Sequence, residues 1–263
     1  MVTVRRTRVI LAALAAILAA GSSSAGTFAA TVMDYDPGVG SAPGYDDPWT
    51  ATGSATRVTG FDLRVTPFNP PFQPTEIVSI GRGGWLTLAF DAPVHDNPAN
   101  PFGIDLLIFG SSFFYASDFS PVAEDLWRPG GVVEVSADNA DWRVVPGAVA
   151  SGLFPTRGFR DSLDPFGSDG GSLPTDFHMP VDPSFSPWGK TFDELSSGYG
   201  ASGGGAGIDI AVTGLPWVKF IRLSNPGDAP YAIGIDAVSS VVPSPALALA
   251  FVVGLSALGG RRR

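Results

Sequence analysis

Between residues 31 and 240 apolar stripes at helical spacing are nearly absent. Short apolar or alternating runs recur instead, each closed by Gly, Pro, Asn or Asp. That punctuation confines the chain to short strands, because Pro breaks helices and Asn, Asp and Gly favour tight turns. The runs fall at 55–65, 76–80, 85–90, 104–109, 132–136, 142–145, 208–213, 218–224 and 233–241. Strands of this kind and number predict an all-β fold, an antiparallel β-sandwich or barrel. The run 104–109 is apolar on both faces apart from Asp105, which predicts a central strand. Asp138-Asn139 predicts a hairpin turn between 132–136 and 142–145, since Asn tolerates the left-handed backbone such turns need.

Composition decides whether so punctuated a chain can fold. Gly and Pro number 33 and 24, close to the level of low-complexity sequence, yet hydrophobic residues make up 44% and supply a core. Cys is absent, which excludes disulfides, thiolate metal sites and a Cys nucleophile. Only His95 and His178 are available for histidine chemistry.

One interval departs from the rhythm. Residues 146–207 hold seven prolines interleaved with Phe154, Phe159, Phe166, Phe177, Phe185 and Trp188. This reads as an ordered excursion whose aromatics pin loops onto the sandwich, because a long structureless loop inside a domain is unusual. Thr191 is placed to cap one short helix over 192–197, with Asp193 and Glu194 in its first turn.

The two ends read differently from the body. Arg5, Arg6 and Arg8 precede an apolar run over 9–20, and Ser23 and Ala25 supply small residues at a cleavage site after Ala25. This is the pattern of a secretory signal peptide over 1–25. At the other end come Val242, Pro243, Ser244 and Pro245, then an apolar stretch, then Arg261, Arg262 and Arg263. Physically that is a short membrane segment with a cationic stop. Six of the 16 basic residues lie in these ends, whereas all 25 acidic residues lie between Asp34 and Asp236. The body over 26–241 therefore carries ten basic against 25 acidic residues, net −15. Such a surface repels nucleic-acid phosphates and anionic lipid and suits divalent cations or basic partners.

The tail 242–263 resembles the PEP-CTERM sorting signal of bacterial exported proteins, with Ser244 where that motif carries Glu. The resemblance implies handling by the secretion machinery and by an exosortase-type membrane protease. It also implies membrane anchoring through the apolar segment before processing, and a final place at the cell surface or in the extracellular matrix. A plain C-terminal membrane anchor is the alternative.

The body carries a Ser-Ile-Gly, Gly-Gly-Trp-Leu-Thr-Leu-Ala-Phe stretch at 79–90, then Gly-Ile-Asp-Leu-Leu-Ile-Phe at 103–109. It is similar to a family of exported, PEP-CTERM-bearing surface proteins of unassigned function. Ser136 to Trp142 resembles a hairpin of discoidin-like, galactose-binding-like jelly rolls, with Asn139 in place of Gly. That resemblance implies a jelly-roll sandwich with neighbouring first and last strands, and a structural calcium near them.

Candidate sites follow. Asp34, Asp36 and Asp236 are the expected calcium ligands, as carboxylates on the domain's first segment and last strand. The alternative has Asp34 and Asp36 capping turns and Asp236 hydrogen-bonding a neighbouring loop. Trp127 and Trp188, in loops, are candidates for stacking on sugar rings, against the alternative that they bury onto the sandwich. Trp85, Trp142 and Trp217 are expected in the core. Gly198 to Gly203 spells G-x-G-x-x-G, but a strand-like run follows where a dinucleotide site needs a helix. No carboxylate pair stands out, so no catalytic residue is assigned. The expected role is that of a non-enzymatic, structural or interaction protein. A lectin-like carbohydrate-binding module is the alternative, and a secreted hydrolase a more distant one.

Overall fold

The computed structural model describes residues 27–115 and 121–243. The signal peptide with Ala25, and Ser244, Pro245 and Arg261 to Arg263 of the tail, lie outside the described residues.

Thirteen strands and one α-helix are present among the described residues. The strands are β1 (Thr31–Asp36), β2 (Val58–Thr59), β3 (Leu63–Arg64), β4 (Val78–Ile80), β5 (Trp85–His95), β6 (Leu106–Gly110) and β7 (Phe113–Tyr115). They continue with β8 (Asp125–Trp127), β9 (Val132–Ser136), β10 (Arg143–Val144), β11 (Ala206–Ile208), β12 (Trp217–Ser224) and β13 (Ile233–Ser240). The helix α1 spans Phe192–Tyr199. Two antiparallel sheets form the body, in the orders β1-β5-β12-β9-β10 and β11-β6-β13-β4. The fold is all-β, and one apolar core lies between the sheets. Leu86, Leu88, Val133, Val135, Ile221 and Leu223 enter it from the first sheet. Ile80, Leu106, Ile108, Ile233, Ile235 and Val238 enter from the second.

The two sheets differ on their outer faces. In β12 burial alternates, so the five-stranded sheet keeps one face toward solvent. All eight residues of β13 are buried. The outer face of its sheet is covered by the 146–207 excursion, where Phe177 joins Leu107, Phe109 and Ala237 in a second apolar cluster. This is why the run around β6 is apolar on both faces.

Several elements correct the sequence expectations. The run 55–65 is not one strand. It is a minimal hairpin of β2 and β3 turned at Gly60–Asp62, where Phe61 and Asp62 both have φ near +60° and Phe61 is 93% exposed. The run 208–213 ends as a strand at Ile208 and becomes a 3-10 turn, Ala211–Thr213, closed by Gly214 at φ 74°. Strands β1, β7 and β8 have no counterpart in the predicted runs. Trp85, Trp142 and Trp217 are half-buried rather than core. Trp142 lies under the Arg222 guanidinium, 4.0 Å from its ring centre, and the Trp85 indole donates to Asp34 at 2.7 Å.

Other expectations hold. The β9–β10 hairpin turns with Asn139 at φ 63°. Thr191 caps α1 in a capping box with Glu194. The excursion is ordered, tied to the sandwich by Phe177 packed edge-on against Phe109 at 5.0 Å.

The two ends of the described region meet. Phe28 bridges Ser239 antiparallel, the Ala29 N–H donates to the Val238 carbonyl at 2.8 Å, and the Ser240 N–H donates to the Thr27 carbonyl at 2.8 Å. Strand β1 itself crosses to pair with β5 in the other sheet. No helix among the described residues is long and apolar enough to cross a membrane.

Candidate functional site

The three expected calcium ligands do not come together. Asp34 is exposed on β1 and accepts the Trp85 indole N–H. Asp36 caps its own turn, accepting the Gly38 N–H at 2.9 Å. Asp236 is buried on β13, in the opposite sheet, and accepts the N–H and hydroxyl of Thr56 at 2.8 and 2.9 Å. Burial pushes its carboxyl up to about 7, against the two bonds from Thr56. Each carboxylate thus has a local partner.

A cleft of about 380 Å³ is lined by Arg160, Thr175, Asp176, Phe177 and His178 of the excursion together with Phe28 and Arg57. Two of its side chains are tied to backbone carbonyls. Arg57 donates to the carbonyls of Gly158 and Thr175 at 2.6 and 2.9 Å, with its guanidinium 3.9 Å over the Phe177 ring. His178 Nδ1 lies 2.8 Å from the Ser240 carbonyl. A carbonyl only accepts, so Nδ1 carries the proton and the ring is held as a structural tie. His95 ends β5 and is exposed.

The two candidate stacking residues sit apart in different settings. Trp188 is 47% exposed and meets Phe114 edge-on at 6.0 Å. Trp127 is half-buried on β8 and packs 4.7 Å from the exposed Tyr231 ring. In the glycine motif, helix α1 precedes and strand β11 follows, the reverse of a dinucleotide site. A Cβ on Gly198 would collide with Phe185, and one on Gly203 with Phe177. These glycines make room for aromatic rings.

The concentration of carboxylates lies elsewhere. Asp96 follows β5, Asp105 precedes β6 and Asp209 follows β11, and one side-chain oxygen of each lies within 4.8 Å of the other two. Strand pairing brings them together. The Asp105 N–H donates to the Ile208 carbonyl at 2.8 Å, setting Asp105 beside Asp209. The Asp96 N–H donates to the Pro216 carbonyl at 3.1 Å, fixing the end of β5.

Asp105 is fully buried. One oxygen accepts the Asn97 N–H at 3.1 Å and the Asn100 amide at 2.9 Å, and the other accepts the Ile210 N–H at 2.9 Å. Burial raises its pKa, the three donors oppose that rise, and the charge of Asp96 adds to it. The ion pairs among the described residues, Arg64–Asp62 and Lys190–Glu194, leave the trio out. Carboxylates held this close repel one another wherever they are ionised.

Sequence reasoning placed Asp105 only as a strand residue and missed the trio. Its members stand on three separate segments, so no local spacing marks them. The one available signal was an Asp inside an otherwise apolar central strand, which demands polar partners.

Neither a scan against protein-family models nor a search of curated proteins finds a match for this chain.

Proposed function

We propose that the chain is an exported surface or extracellular-matrix protein whose β-sandwich body has a structural or interaction role rather than a catalytic one. The observation that carries this reading is the pairing of residues 27–29 with 238–240. Both flanks leave the body side by side, so a leader removed from one and an anchor held at the other would leave the rest of the surface free. The signal-peptide pattern of 1–25, the PEP-CTERM-like tail 242–263 and a body at net −15 support the same reading. Two antiparallel sheets around one core support a jelly-roll, galactose-binding-like ancestry. The partners it requires are the secretion machinery, an exosortase-type protease and, until processing, the membrane.

The test is mass spectrometry of the protein from its native cell envelope, with protease shaving of intact cells. The expected species starts after Ala25, ends near Pro243 and is shaved from outside. An intact chain in the cytosol, with both ends retained, would refute the reading.

Carbohydrate recognition is a second reading, favoured by the Trp127–Tyr231 pair at the surface. A glycan array that gives binding lost in Trp127→Ala supports it, and an array without binding discards it.

A further inference from the structure

We propose that Asp96, Asp105, Asp209 and Asn100 form a binding site for a calcium-class divalent cation that ties the two sheets together at one end of the sandwich. The carboxylate trio is one observation. The second is independent of it. Asn100 is only 5% exposed, and its side-chain oxygen is buried with no donor. Its amide nitrogen is bound to Asp105 at 2.9 Å, so the unpartnered oxygen belongs to a side chain already seated against the trio. Buried acceptors almost always find a partner, and an unpartnered one asks for an explanation such as an ion. An unpartnered buried acceptor on a side chain that touches a carboxylate cluster is the place for a positive charge.

The donor set selects the ion. Every member offers oxygen, and neither His nor Cys belongs to the group, which disfavours zinc and softer metals. Oxygens on opposite sides of a calcium ion stand about 5 Å apart, so a group spanning no more than 4.8 Å can share one. Calcium takes six to eight oxygens, and the remaining places are open to water and loop carbonyls. The loop from Asn97 to Gly103 is organised around the spot. Asn97 and Asn100 both donate to Asp105, and the Ala99 N–H donates to the Asn97 side chain at 3.0 Å.

Topology gives the ion a purpose. Asp96 extends from β5 of the five-stranded sheet, while Asp105 and Asp209 flank β6 and β11 of the four-stranded sheet. A shared cation would therefore join the layers in a chain that has no Cys for a disulfide.

The experiment uses the full chain, stripped with chelator and then titrated separately with calcium chloride and magnesium chloride. Heat of binding and the melting midpoint are both read. Calcium at a hundred times its dissociation constant is expected to raise the midpoint by about 5–10 °C. Asp96→Asn and Asp209→Asn should each weaken binding at least about tenfold and abolish the shift, as loss of a charged calcium ligand does. Without metal, both variants should melt at or above the wild-type midpoint, because a repelling charge is gone. That readout separates loss of binding from loss of folding. Asp34→Asn and Asp36→Asn should keep the full calcium response.

Absence of both heat and shift in the wild-type chain would overturn the proposal. So would a shift retained in Asp96→Asn and Asp209→Asn, or one lost in Asp34→Asn. Equal shifts from magnesium and calcium would overturn the assignment to a calcium-class ion.

Discussion

In the sandwich, backbone groups pair with backbone groups. Strand β12 is bonded along most of its length to β5 on one side and to β9 on the other, and Leu, Val and Ile fill the space between the layers. In the 146–207 excursion there are few ladders, and side chains hold the backbone. Asp161 accepts the N–H groups of Ser172 and Leu173 and the Ser172 hydroxyl. Asp164 and Asp169 do the same for Phe166 and Ser168 and for Ser162 and Leu163. Arg157, only 2% exposed, donates to the carbonyls of Ser196 and Arg160.

Asp thus works with opposite electrostatics in the loops of the excursion and at the buried positions of the sandwich. In the excursion, hydrogen bonds from Leu173 and from the Ser184 hydroxyl lead in holding Asp161 and Asp182 below the ordinary Asp range. For Asp164 and Asp169 burial pushes upward, but hydrogen bonds from Ser168 and Ser162 outweigh it. In the sandwich, burial dominates and raises Asp105 and Asp236. An acidic domain of this design is loosened from both ends of the pH scale, by different carboxylates.

The most severe test of the comparison is Phe177→Ala, which removes the ring joining excursion to sandwich. Loss of about 4 kcal/mol is expected in urea unfolding, with one transition seen by tryptophan fluorescence and circular dichroism alike. Two separate transitions would mean that the excursion is an autonomous layer.

Next comes the pH dependence of the sandwich. The folded pKa of Asp236, about 7, lies above its unfolded value, so its folded state binds the extra proton. The stability is fully present below about pH 4 and is lost as pH rises through about 7. Between about pH 5 and pH 8 the loss should reach about 3 kcal/mol. Asp236→Asn should flatten this limb and be the more stable protein at pH 8. Unchanged curvature in that variant, at fixed calcium, would assign the titration to another group.

Thr191→Ala should cost about 1 kcal/mol, because the capping box ends with it. Hydrogen exchange should localise the effect to α1.

The smallest effect is local. Asp161→Ala should speed exchange at the Ser172 and Leu173 amides and leave the global midpoint unchanged. In the wild type the lowered pKa of Asp161 places the sign the other way from Asp236. Its contribution is present above the ordinary Asp range and is lost as pH falls through the folded value. Exchange in the excursion should therefore accelerate on acidification while the sandwich core stays protected.

Which parts of this were legible in the residues follows from the same contrast. Strands β9, β12 and β13 were readable because β-branched and aromatic residues recur between turn formers. The cap of α1 was readable because Thr191 and Glu194 stand three apart before an apolar face. Strand β1 was not, since Asp34 and Asp36 look like turn residues. They sit in an edge strand where Asp34 finds the Trp85 indole and Asp36 folds back on Gly38. The 3-10 turn after Ile208 was hidden because Ile208 and Ile210 are both buried in the core while the chain bends between them. The bend is stabilised by the Ile210 N–H donating to Asp105, a partner far away in sequence. The acidic trio shares that cause. Its chemistry is made by strand pairing, and only the folded arrangement brings Asp96, Asp105 and Asp209 to one place.

The antiparallel contact between residues 27–29 and 238–240 has a mechanical consequence. Tension applied between the two flanks would open that contact one hydrogen bond at a time, like a zipper, at low force. Tension applied between the C-terminal flank and a ligand held on the far surface would instead pull along β13, against β6 and β4 in shear. A body anchored by one end and gripped on its surface would resist force far better than one stretched between its ends.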